Sequence, residues 1–170
     1  MKLSVIIIIG LWYQGLHNPM GCDISTREHK EVGRHFEGSI DLVPMPWPGD
    51  LEADTVHRHS GDCLYGVTES GTESGYVIKT RAMGRFEAFD YLVVFSPEAQ
   101  VLGVAVTRYR SDHGAGICQR GWLKQFKGYR GGELQLGKDI DGVSGGTVSA
   151  SSLVKDLQRC HRLMELALDY

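Results

Sequence analysis

The sequence predicts an α+β fold, an antiparallel sheet of hairpin-connected strands packed against a short helix and a long C-terminal helix. Three observations carry that prediction. Between residues 63 and 109, four runs rich in Val, Tyr, Phe and Leu are separated by short breaks, and strands joined by such short connections run antiparallel. The 22 glycines fall at turns rather than in a repeat, as tight connections require. From Leu153 onward, apolar residues recur at helical spacing almost to the end of the chain.

At 170 residues the chain has room for one domain with a proper core. A hydrophobic fraction of 42%, a charged fraction of 23% and a net charge of -3 describe an ordinary globular protein, too acidic to suggest nucleic acid as a partner. Cys22, Cys63, Cys118 and Cys160 lie tens of residues apart. No C-x-x-C pair therefore offers a zinc, iron–sulfur or haem signature, and the spacing leaves any disulfide pairing open.

Taken in order, residues 1–21 read as a signal or anchor segment. Lys2 precedes an apolar run from Leu3 to Tyr13 that includes four consecutive isoleucines. That run is shorter than the ~20 apolar residues of a membrane-spanning helix. Gly21 before Cys22 loosely resembles a lipoprotein cleavage site, although Pro19 fits poorly. The alternative is a buried first strand. Residues 22–60 have weak periodicity and carry Pro44, Pro46 and Pro48, which predicts an irregular surface arm. Within it His57 and His59, with Cys63 four residues on, have ligand-like spacing but no supporting cluster, so a solvated segment is the expectation.

Strands are expected at Cys63–Thr68, Tyr76–Thr80, Phe86–Ser96 and Val101–Tyr109. Alternation in the last places Val104 and Val106 on one face, and helices could cover the other face of the sheet. The chain then bends at Tyr109, Arg110, Ser111, Asp112, His113, Gly114, Ala115 and Gly116. His113 is a candidate proton donor, or a structural residue of the bend. Trp122, Leu123 and Phe126 form the apolar face of a short helix ended by Gly128.

Gly132, Gly137 and Lys138 imitate a phosphate loop but fail at Asp139, where a hydroxyl is needed. In the closing helix, Leu153, Leu157, Cys160, Met164 and Leu168 make a buried stripe, with Lys155, Asp156, Gln158 and Arg159 expected to face water. Before that helix stands Asp141, Gly142, Val143, Ser144, Gly145, Gly146, Thr147. Two readings suit this turn: a helix start capped by Ser or Thr, or an anion seat in which glycines let a ligand reach helix N–H groups.

The Asp141–Thr147 pattern, the Phe89–Phe95 run, the Tyr109–Gly114 bend and Trp122–Gly128 together resemble the FMN-binding domain family. That family includes flavin-carrying subunits of sodium-pumping quinone reductase and of Rnf-type electron-transport complexes. The resemblance covers about residues 61–157, so residues 61–170 are expected to be an FMN-binding domain. In the family the pattern runs Asp, two variable positions, Ser or Thr, Gly, Ala, Thr, and the final Thr carries FMN through a phosphoester bond. Thr147 occupies that position, and Gly146 stands where the family usually has Ala.

The resemblance implies an electron-transfer flavoprotein with FMN on Thr147. Ser144, Gly145, Gly146, Asp141 and Val148 would lie around the phosphate, and His113, Gly114, Ala115 and Gly116 toward the isoalloxazine ring. A Thr hydroxyl is a weak nucleophile, and no base adjoins it in the sequence. Attachment would thus fall to a separate flavin transferase. Redox partner proteins would supply and accept electrons, and the chain would work outside the cytoplasmic membrane, at its surface or in a membrane complex, with Cys22 a lipidation candidate. The competing functions are a reductase holding FMN without a covalent link and a flavin-binding module without redox turnover.

Overall fold

The structure is a computed structural model that describes residues 22–52 and 58–169. The apolar start, residues 1–21, and His57 lie outside the described residues. The chain begins with helix α1 (Thr26–Gly33) and strand β1 (Ile40–Met45). Four more strands follow: β2 (Cys63–Glu69), β3 (Thr72–Met83), β4 (Ala88–Phe95) and β5 (Val101–Arg108). A short helix α2 (Arg120–Leu123) and the 22-residue helix α3 (Thr147–Leu168) complete it.

All five strands pair antiparallel in chain order, β1 to β5. The α+β expectation therefore holds, with one more strand than the sequence suggested. Residues 22–60 are not an irregular arm. Ser25 caps α1 through a reciprocal capping box with Glu28, and β1 pairs with β2 from Ile40↔Glu69 to Met45↔Leu64. Pro44 hid this strand. It lies on the edge of the sheet, where a missing N–H costs no ladder bond to an outer neighbour.

Hairpin lengths also differ from the expected ones. The break read between β2 and β3 shrinks to Ser70 and Gly71, whose φ values of 52° and 80° match a two-residue hairpin turn. β3 therefore starts at Thr72 instead of Tyr76. At its other end β4 starts at Ala88, leaving Phe86 in the connecting turn and 61% exposed.

The two faces of the sheet are covered differently. On one face Ile78, Phe89, Tyr91, Val93 and Phe95 pack against Ala150, Leu153, Leu157, Cys160 and Met164 of α3. Each such fully buried aliphatic or aromatic side chain contributes ~1.5–3 kcal/mol. The other face, with Tyr65, Val67, Val77 and Leu92, is covered by Val32 of α1 and by Ile24 and Phe36. Glu28, only 6% exposed, fixes this cover by pairing with Lys79 of β3 at 3.0 Å. Burial alone would raise its carboxyl, but hydrogen bonds from Ser25 and Lys79 hold it below its ordinary value.

Cys22 and Cys63 form a disulfide across 41 residues, tying the start of this cover to β2. One sulfur cannot hold both a disulfide and a lipid thioether, so this structure is incompatible with lipid on Cys22. The same bond removes Cys63 from the ligand set considered with His59. Cys118 and Cys160 are free thiols.

Candidate functional site

Three segments meet at the start of α3. The first is the turn that precedes it. Ser144 and Gly145 make the turn, with Gly145 at φ 69°, and the Gly146 N–H donates to the Val143 carbonyl at 3.0 Å. The helix cap is Gly146, with no side-chain hydrogen bond, and the first turn holds no acidic residue. Neither Ser144 nor Thr147 therefore caps the helix. The positive end of the helix dipole is left open, which favours an anion there. Thr147, the first residue of α3, is exposed, as are Ser144, Gly145 and Val148.

The second segment is the bend after β5. Tyr109 donates its hydroxyl to the His113 carbonyl at 2.6 Å and lies 3.0 Å from Ser149 Oγ on α3. With the phenolic proton committed to the carbonyl, Ser149 donates to the Tyr109 oxygen. Gly114 has φ 82° and begins a single 3-10 turn, Ala115–Cys118. A methyl built on Gly114 would lie 3.0 Å from the Gly146 Cα, and one on Gly146 would lie 3.1 Å from the Gly114 Cα. A methyl on Gly116 would lie 2.5 Å from Val143 Cγ1. The bend and the turn thus pack backbone to backbone, and these glycines serve that contact. His113 and Ala115 are exposed and Gly114 and Gly116 half-buried, so the bend still borders solvent on its other side.

Asp141 is anchored from a different direction. Trp122 Nε1 donates to its carbonyl at 2.8 Å, and its N–H donates to Gln125 Oε1 at 2.9 Å. The short helix, whose Trp122 and Phe126 rings pack edge to face at 5.2 Å, thereby fixes the entry to the turn. Its core role agrees with the sequence reading, since Leu123 and Phe126 are also buried.

The third segment, the β3–β4 hairpin, was not expected from the sequence. Gly84 lies against Ser149, and its N–H donates to the Glu87 carbonyl at 2.9 Å. On either side of Gly84 stand Met83, 58% exposed, and Phe86, whose ring lies 6.4 Å from His113. Together with Val148 these are the exposed large apolar side chains among the described residues. Phe86 reaches the helix start through tertiary packing, by way of His113 and the Gly114–Gly146 contact, whereas Met83 lies on the face of β3 opposite Ala82, which packs on α3.

Beside this site a cleft of about 870 Å³ runs between α3 and the β2–β3 end of the sheet. Its floor is a charge network that corrects the expected solvent face of α3. Asp156 is buried, and the Arg159 side chain is 13% exposed. Arg159 donates to Asp62 and to Asp156 at 2.6 Å each, while Tyr91 donates to Asp156 at 2.5 Å. Thr80 completes the set with a bond to Asp62. Burial, with Cys160 and Asp156 nearby, pushes the Tyr91 phenol well up, so it remains a neutral donor.

No family model matches the chain, and no curated protein matches it. Solved structures do. The NqrC component of the Na(+)-translocating NADH-quinone reductase of Parabacteroides distasonis aligns over 99% of this chain and 99% of its own, with a TM-score of 0.56 and 16% sequence identity. NqrC of Shewanella oneidensis aligns over 75% of this chain and 68% of its own, with a TM-score of 0.48 and 17% identity. The chain is similar in fold to the NqrC component of this reductase.

Proposed function

We propose that the chain is an electron-transfer domain that carries FMN on Thr147 through a phosphoester bond. One observation carries this reading: an exposed Thr hydroxyl at an uncapped helix start is followed by exposed Val148, and exposed Phe86 lies against His113 of the bend that packs on the same turn. Phosphate suits the first of these features. A planar aromatic ring suits the second, because it would cover apolar surface otherwise left in water. The fold likeness to a component of a sodium-pumping NADH-quinone reductase supports the same direction.

The first-turn N–H groups of α3 would hold the phosphate, with Ser144 and Gly145 beside it and Asp141 held in place by Trp122 and Gln125. His113 would stand at the rim next to Phe86. Bound FMN supplies the electron-carrying chemistry, and the chain supplies position and local charge. No carboxylate or imidazole bonds Thr147 to activate it among the described residues, which favours a separate flavin transferase. The Cys22–Cys63 bond supports a place outside the cytoplasm, because disulfides persist in oxidising compartments. Redox partner proteins at the membrane would then deliver and take electrons.

The test is a denaturing gel viewed for flavin fluorescence, on protein co-expressed with a flavin transferase. A fluorescent band that is lost in Thr147→Ala is expected. A dark wild-type band from yellow native protein would support non-covalent FMN instead, and fluorescence retained by Thr147→Ala would place the attachment elsewhere.

A further inference from the structure

The face of the sheet opposite α3 is only partly covered. Val32, Ile24 and Phe36 close over Tyr65, Val67, Val77 and Leu92. Beyond Leu92 the same face carries Asp90 of β4, with Lys79, Arg81 and Met83 of β3. Between this end of the sheet and the start of α1 lies a notch of about 240 Å³. Arg27 and Glu28 stand on its α1 wall, Thr107 and Arg108 of β5 on the other, and Lys79 and Asp90 form the floor.

Both carboxylates of the notch are already taken. Glu28 pairs with Lys79 at 3.0 Å, and Asp90 accepts from Arg81 at 2.7 Å and from Arg110 at 2.5 Å. Glu31, one turn after Arg27 on α1, is bound by Arg34 and Arg120. Arg27 and Arg108 are exposed, and their guanidinium groups make no ion pair and no hydrogen bond among the described residues. Even with Asp23 counted in, whose carbonyl accepts from Lys79 at 2.6 Å, five cationic side chains meet three carboxylates around the notch. The chain as a whole has a net charge of -3, so this face is opposite in sign to the rest.

We propose that the notch and the open sheet face beside it dock an acidic surface of a partner protein, whose carboxylates enter between Arg27 and Arg108 while Met83 makes the apolar contact; that this partner exchanges electrons with the chain rests on the reading of the chain as a flavin carrier. Two guanidinium groups with no carboxylate of their own, set on opposite walls, suit side-chain carboxylates, which they hold through paired N–H donors. Met83, 58% exposed and on the same face as Arg81, adds apolar area, and arginine and methionine together mark protein interfaces. The docking face also adjoins the attachment turn. Arg108 and Arg110 flank Tyr109, whose ring packs on Phe89 of the α3 face and whose hydroxyl reaches Ser149. A single residue thus links the docking face to the first turn of α3. Attraction of an acidic partner here would speed encounter and fix its orientation beside Thr147.

The experiment titrates the full chain into a rhodamine-labelled hexa-aspartate peptide and follows fluorescence anisotropy at low and high salt. Binding that weakens with salt is expected, with about tenfold lower affinity in Arg27→Gln/Arg108→Gln and most of it regained in Arg27→Lys/Arg108→Lys. Both arginines are exposed and unpaired, so these variants should keep the parent's melting temperature. Lys138→Gln, in a loop packed on the α3 side, should bind as the parent does. A hexa-lysine peptide, which the net charge alone would favour, should bind more weakly than hexa-aspartate. Equal affinity in the parent and Arg27→Gln/Arg108→Gln, an equal loss in Lys138→Gln, or tighter binding of hexa-lysine would overturn the proposal. Binding to phosphatidylglycerol vesicles without binding of hexa-aspartate would also overturn it, by assigning the face to lipid. Hexa-aspartate binding by a protein whose gel band lacks flavin would support the docking face and overturn only the attachment reading.

Discussion

Placing the family's usual Ala at position 146 is expected to destabilise this protein, even though Ala is common there in the sequences it resembles. The backbone is not the obstacle, since Gly146 sits at φ -123°, which any residue adopts. Space is the obstacle. The new methyl would lie 2.9 Å from Val143 Cγ1, 3.1 Å from the Gly114 Cα and 3.2 Å from the Gly114 carbonyl oxygen. Two of those atoms are backbone and cannot swing away. Overpacking of this kind costs ~1–3 kcal/mol, and exchanging Gly for Ala at a helix cap adds ~0.5–1 kcal/mol. A loss of about 2–3 kcal/mol follows, or ~5–10 °C in melting temperature for a domain of this size.

Thermal and urea unfolding of Gly146→Ala, Val143→Ala and the double variant would measure it. Trimming Val143 removes the shortest contact, so the double variant should recover more than ~1 kcal/mol relative to the sum of the single changes. Additivity within ~0.5 kcal/mol, or a Gly146→Ala protein as stable as the parent, would refute the packing argument. The bend at Gly114 and the attachment turn would then not be a single unit.

The other predictions concern the charge network, the cover of the sheet and a buried imidazole. Arg159→Met leaves Asp62 and Asp156 buried without their cation and should cost ~3–5 kcal/mol in urea unfolding. Tyr91→Phe removes one donor to Asp156 and should cost ~1–3 kcal/mol, with the Arg159→Met effect altered in the double variant. Replacing Cys22 and Cys63 together by Ser frees a loop of 41 residues and should cost about 4 kcal/mol on loop entropy; a loss below ~1 kcal/mol would mean that the hydrophobic cover holds the arm unaided. His161 is buried with its ring 4.9 Å from that of Tyr129, and burial pulls its imidazole below the ordinary 6.5 despite Glu165 nearby. Its contribution is therefore complete above pH 6.5 and falls as pH drops from there through the folded value, because the unfolded chain takes up the proton first. His161→Phe should flatten the melting temperature across that window, and an unchanged slope would show that another group titrates.

What could be read from the sequence alone was local. Strand alternation, the glycine breaks and the apolar stripe of the last helix are short-range patterns, and they placed four strands, the two helices after β5 and the turn before Thr147. Pro44 misled because a proline says nothing about whether its strand lies at an edge. Asp156 and Arg159 misled because charged residues on a helix look solvated unless their partners are known. Those partners, Asp62, Thr80 and Tyr91, stand far away in the chain.

The tertiary structure decided what surrounds Thr147. Gly114 and Gly146 have separate local meanings in the sequence, and only the fold presses one against the other so closely that neither tolerates a methyl. Phe86 is an ordinary hairpin residue until the fold sets it against His113, beside the Gly114–Gly146 contact. Spacing along a chain determines which residues share a helix or strand face. The meeting of two faces depends on how a buried sheet and helix pack, and that is set by contacts between residues distant in sequence.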